Sequence, residues 1–167
     1  MVFWWGVFSK SQPQFWYRQI TMKNNSVRIF GEELGAKAKI TVSRKVKEIH
    51  PVVKHIVDNL AELDFIHFIR LSPEILQASN EITDGRIKIP VSKPDHPTAI
   101  GVYLIMDIAN KDIQFYEMTS AIKGCGGKLV DAVLKALPQD WSGVVVMDWS
   151  NGFWDRMKER HRNLYIL

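Results

Sequence analysis

The chain has 167 residues, enough for one domain with a full core and too few for two of ordinary size. Hydrophobic residues make up 46% and charged residues 24%, which excludes disordered and fibrous classes. The single cysteine, Cys125, excludes an intrachain disulfide framework and a multi-cysteine zinc site. A reducing, cytoplasmic setting with no metal is therefore expected. The net charge of +4 is small and spread along the chain, whereas compact nucleic-acid-binding modules concentrate theirs in a stripe.

Residues 1–21 differ from the rest. They contain no acid and carry Phe3, Trp4, Trp5, Phe8, Phe15, Trp16 and Tyr17. The longest uncharged stretch, Met1–Ser9, is too short to span a bilayer, and no basic segment or cleavage site marks a signal peptide. Three readings stay open: an extension ahead of a start at Met22, an arm packing on the domain or a partner, and an interfacial anchor. Residues 22–167 are read as one domain.

Alternation at Ile40 and Val42 predicts a strand over Lys39–Val42. Ser43 then caps a helix whose buried face carries Val46, Ile49, Val53, Ile56, Val57, Leu60 and Leu63, with Pro51 kinking or splitting it. Ser72-Pro73-Glu74 reads as an N-cap, a first-turn proline and a first-turn acid, predicting a short helix to about Ala78. Strands follow at Arg86–Val91, Ala99–Ile108 and Ile113–Thr119. Gly127–Leu137 places Leu129, Val130, Val133, Leu134 and Leu137 on one helical face, and Pro138 ends it. Gly143–Met147 reads as a strand buried on both faces, a helix starts near Asn151, and Leu164–Leu167 is a final strand.

The chemistry-bearing segment is Ala121-Ile122-Lys123-Gly124-Cys125-Gly126-Gly127-Lys128-Leu129-Val130, between a strand and an amphipathic helix. Glycines let the backbone turn tightly and approach a ligand, and the first helical amides lack intrahelical acceptors. An anion such as a phosphate fits there. A ligand-free glycine connection is the plain alternative. Leu129 follows Lys128, which breaks the Walker pattern, and Leu129 also stands where the dinucleotide fingerprint needs its third glycine.

The segment resembles the acetyl-coenzyme A loop of GNAT-superfamily N-acyltransferases, with Gly124 and Gly126 at the two small positions. The likeness extends over about Thr98–Arg160, including Asn151-Gly152-Phe153-Trp154-Asp155-Arg156-Met157. It implies an α/β fold with a mixed central sheet and helices on both faces, and acetyl-CoA or another acyl-CoA as co-substrate. By position, Tyr116, Glu117 and Met118 would meet the pantetheine arm. Ile122, Lys123, Gly124, Cys125, Gly126 and Gly127 would hold the pyrophosphate, with Asn151 beside them. The thioester would lie where the strand before the loop splays from the Val144–Met147 strand.

Three features depart from the family pattern. Ala121 replaces the usual Arg or Gln, Trp154 replaces the late tyrosine that protonates the thiolate, and one final strand stands where two are common. The acceptor side would then be open or completed by a second copy in a homodimer.

Acylation of an amine often uses a base within hydrogen-bond reach. Counting back from the loop, the position of the family's glutamate falls at Asn110, with Asp112 two residues on; Asp112 is the first base candidate, against a hairpin-turn aspartate. Glu117, assigned to the opposite strand face, is the second, against a solvent-facing strand acid. Asp148, at the carboxyl end of a buried strand, is the third. Cys125 lacks a neighbouring histidine, and His50 and His55 are five apart, so neither makes a catalytic or metal site. Arg44, Lys45, Lys47 and Lys54 read as a solvated helix face or a surface for an acidic partner. The sequence leaves three functions: an N-acyltransferase acting on a small molecule, a protein or tRNA; an inactive GNAT-like binding domain; and a basic nucleic-acid-associated protein.

Overall fold

Period-two alternation gives the strands at Lys39–Val42, Phe68–Leu71 and Ser142–Val145 a buried and a more exposed side, and that division organises the chain. The structure is a computed structural model and describes residues 28–30 and 38–167. The aromatic segment 1–21 lies outside the described residues. In order these form β1 (Arg28–Phe30), β2 (Lys39–Val42), α1 (Pro51–Ala61), β3 (Phe68–Leu71), β4 (Ile75–Ser79) and β5 (Ile100–Asp107). Then come β6 (Asp112–Ser120), α2 (Cys125–Lys135), β7 (Ser142–Val145), α3 (Phe153–Arg160) and β8 (Leu164–Ile166). The eight strands make one sheet in sequence order. β2 and β3, β6 and β7, and β7 and β8 pair in parallel; the other neighbours are antiparallel, so the α/β sheet is mixed.

The register brings one apolar row after another onto a single side: Val42, Leu71, Leu76, Leu104 and Phe115 face one way, as do Ile113, Gly143 and Leu164. These are all buried. A fully buried Leu or Ile contributes about 1.5–3 kcal/mol, so this side supplies most of the driving force. All three helices cover it. Leu134 of α2 and Phe115 both lie close over Gly143. Asn59 of α1 donates to the Ala132 carbonyl of α2 at 3.0 Å. Trp154 of α3 packs on Phe115 with ring centroids 5.1 Å apart. Helices on both faces were expected; the described helices lie side by side on one. No helix among the described residues is long and apolar enough to cross a membrane.

Local signals were misread at two prolines. Pro51 begins α1 rather than kinking it, with His50 as N-cap and its Nδ1 accepting from the Val52 amide. Its missing donor costs nothing at the first helical position. Ser72-Pro73-Glu74 is a hairpin connection, not a helix start: the Ser72 amide bonds the Ile75 carbonyl at 2.8 Å, and β4 follows. Proline and serine serve both roles, and pairing of Leu76 with Leu71 and Leu104 decides between them. Residues 86–91 form no strand; Pro90 makes a lone bridge to Ile82, and Ile87 is exposed. β7 ends at Val145, leaving Val146 and Met147 exposed.

The connection over 80–99 folds back on the far side of the sheet at Gly101. A β-carbon added there would lie 2.1 Å from the Val91 carbonyl oxygen, a backbone atom that cannot swing aside. Gly101→Ala should therefore cost about 1–3 kcal/mol by overpacking. Thermal denaturation should show a fall of roughly 2–12 °C. Gly85→Ala, whose nearest neighbour would be at 3.7 Å, should leave the midpoint unchanged.

Candidate active site at the β6–β7 fork

β6 pairs with β5 along its whole length, but with β7 only from Asp112 to Gln114, opposite Ser142 to Val144. From Phe115 to Ser120 its other edge has no described strand beside it. Backbone donors and acceptors on such an edge need a partner, from water or a ligand. The reason for the fork lies just after Val145. Asp148 accepts hydrogen bonds from the Ser150 amide at 2.7 Å and from the Ser150 hydroxyl, forming a tight turn. Gly152, at φ 89°, then starts α3. Phe153 and Trp154 stack edge to face at 5.1 Å, and Trp154 wedges against Phe115. Aromatic pairs of this kind add about 0.5–1.5 kcal/mol beyond area burial. β7 ends at Val145, one residue past its last β6 partner, and the chain then enters this turn and α3.

The glycine turn closes the other side of the fork. The Ser120 hydroxyl donates to the Ile122 carbonyl at 2.7 Å, and the Cys125 amide bonds the same carbonyl at 3.2 Å. Gly124 is left-handed at φ 89° with open space around its α-carbon, and no side chain caps α2. The other two glycines face α3 without being crowded by it. A β-carbon on Gly126 would meet Phe153 at 3.6 Å, and one on Gly127 would meet Met157 at 3.8 Å, ordinary contact distances that a side chain's first carbon could take up. Ile122 and Lys123 are exposed beside the turn, and Cys125 is half-buried. Arg160 and His161 both reach Asp131 of α2 at 2.7 Å, which fixes the end of α3 to α2.

The candidate acids fall in different places. Tyr103 pairs with Glu117 and Leu104 with Phe115, so Tyr116 is the extra residue of a β-bulge. The bulge returns Glu117 to the side of Gln114 and Asp112, correcting its assignment to the opposite face. Bulges commonly re-aim side chains beside active sites. Glu117 lies on the forked part of β6 and accepts from the Ser92 hydroxyl at 3.3 Å. Asp112 lies at the closed end, opposite Asp107 and Ser142, at the base of the β5–β6 hairpin. Asp148 shapes its own exposed turn rather than ending a strand. Met118 faces the helices beside Val102, and Asn151 sits before α3, at φ 49°. Trp154 is buried. No group of three or more metal-ligating side chains is present among the described residues.

Sequence reading missed Tyr103 and Ser92. Tyr103 lies opposite Glu117, 5.1 Å from the ring of Tyr116. Burial raises its pKa above the ordinary phenol value, Tyr116 and Glu117 raise it further, and Arg70 partly offsets them. Below pH 10 the folded and unfolded chains both keep this proton, so stability is unaffected. Above it the unfolded chain releases the proton first, and stability falls until the folded phenol also ionises. Melting curves of wild type and Tyr103→Phe should therefore diverge above pH 10, with the wild type losing stability faster.

A scan against protein-family models finds no match, and searches of curated proteins and of solved structures find none either.

Proposed function

We propose that the protein is an acyl-CoA-dependent N-acyltransferase. The observation that carries this reading is the fork itself: a free β6 edge from Phe115 to Ser120 leads directly to the uncapped glycine start of α2. An extended amide-bearing arm can pair with the edge as an added strand would, and the pyrophosphate attached to it then meets free helical amides. Lys123 and Lys128, both exposed near the turn, supply positive charge that Ala121 does not.

In this reading the acceptor amine attacks the thioester carbonyl from the side of the sheet that carries Glu117. The new C–N bond forms as the C–S bond breaks. Glu117 takes the proton lost by the amine, directly or through one water, while Ser92 holds its carboxylate in place. The departing thiolate needs a proton in return. Trp154 is buried and offers no acidic proton, so the role passes to Tyr116, exposed at the bulge. The buried Trp154, and Ala121 in place of an Arg or Gln, also favour a second reading, a domain that binds CoA without transferring its acyl group.

Calorimetry with CoA and acetyl-CoA should detect binding. A hundredfold excess over Kd should stabilise the fold by about 2.7 kcal/mol. Gly126→Val should fold, since its β-carbon meets nothing closer than 3.4 Å, yet lose CoA affinity at least tenfold because the branched side chain crowds the helix start. No heat and no thermal shift with millimolar CoA would remove the proposal. Among amines, peptides and tRNA screened as acceptors, Glu117→Gln should lower turnover about 10²–10⁴-fold and Asp112→Asn far less. Binding without turnover of any acceptor would select the second reading.

A further inference from the structure

On the far side of the sheet, away from the helices, the register aligns Thr41, Arg70, Gln77, Tyr103 and Glu117 in one row across five strands. Polar residues are ordinary on a side that helices leave uncovered, but Gln77 sets this row apart by being buried between its charged ends. Arg70 is half-buried, and among the described residues no carboxylate pairs with it. Gln77, between Arg70 and Tyr103, is only 7% exposed. At the other end Glu117 carries the opposite charge, with Tyr103 in electrostatic reach of both. Three strand spacings separate the backbones of Arg70 and Glu117, roughly 14 Å, before their side chains extend toward a ligand.

We infer that this row binds the acceptor, and that the acceptor is an amino carboxylate: its carboxylate on Arg70 and Gln77, its amine at Glu117 beside the fork. A planar guanidinium suits a carboxylate through paired hydrogen bonds, whereas an ammonium is held by the single acid at the far end. The separation favours an amine several carbons from the carboxylate over an α-amino acid, whose charges are too close to reach both groups. The fate of the amine rests on the acyltransferase reading; its binding does not.

The test uses three probes of similar length, 6-aminohexanoate, hexanoate and hexylamine, followed by calorimetry or ligand-observed NMR on the full chain. The wild type should bind 6-aminohexanoate at least tenfold more tightly than either single-charge probe. Arg70→Gln should erase the advantage over hexylamine, and Glu117→Gln the advantage over hexanoate, each with circular dichroism unchanged. Equal binding of the three probes, no binding of any, or an advantage that survives Arg70→Gln in a folded protein would overturn the inference. A parallel CoA titration separates the two ideas. CoA binding without 6-aminohexanoate binding sinks the acceptor site alone, and the converse sinks the acyltransferase reading alone.

Discussion

The contact on which the site depends is Trp154 against Phe115. Parallel strands joined by a helix normally pair along their shared length, and β7 begins to do so beside β6. After Val145 the chain turns into α3, which buries Trp154 and Met157 and sets Trp154 against Phe115 on the helix side of the sheet. Large aromatic side chains bury enough surface to outweigh a few ladder hydrogen bonds, each contributing only about 0.5–1.5 kcal/mol net. Beside this contact β6 runs on from Phe115 to Ser120 with no described strand on its outer edge.

A sheet covered by helices on one side can divide its labour. Apolar rows such as Ile40, Ile69, Ala78, Val102 and Met118 supply burial toward α1 and α2. The same strands are then free to carry Arg70, Gln77, Tyr103 and Glu117 on the far side at little cost to the core. The bulge at Tyr116 joins the two roles. One inserted residue lets Phe115 stay under Trp154 while Glu117 returns to the row of Tyr103, which strict alternation of a nine-residue strand would forbid.

The segment from β5 to α2 was legible because its signals are local and agree. Long apolar alternation, a glycine cluster and a helical stripe from Leu129 to Leu134 all lie within a few residues of the elements they specify. β3 and β4 were not legible, since Ser72-Pro73-Glu74 suits a helix start as well as a hairpin and the deciding partners lie some thirty residues away on β5. The bulge left no local mark. Tyr116 is not glycine, and only the register between Tyr103 and Leu104 reveals it. Misplacing that one residue puts Glu117 on the strand face opposite Asp112, whereas the register puts both on the same side.

The electrostatics of the far side follow from the same division. Tyr103 stands between the cation of Arg70 and the anion of Glu117, and desolvation with two acidic neighbours outweighs the cation in setting its pKa. A phenol held protonated remains a hydrogen-bond donor through the neutral range. Glu117 is itself fixed by Ser92, which the 80–99 connection delivers through its close approach at Gly101. A loop that looks like an ornament on the β4–β5 hairpin thus sets the rotamer of the acid nearest the fork.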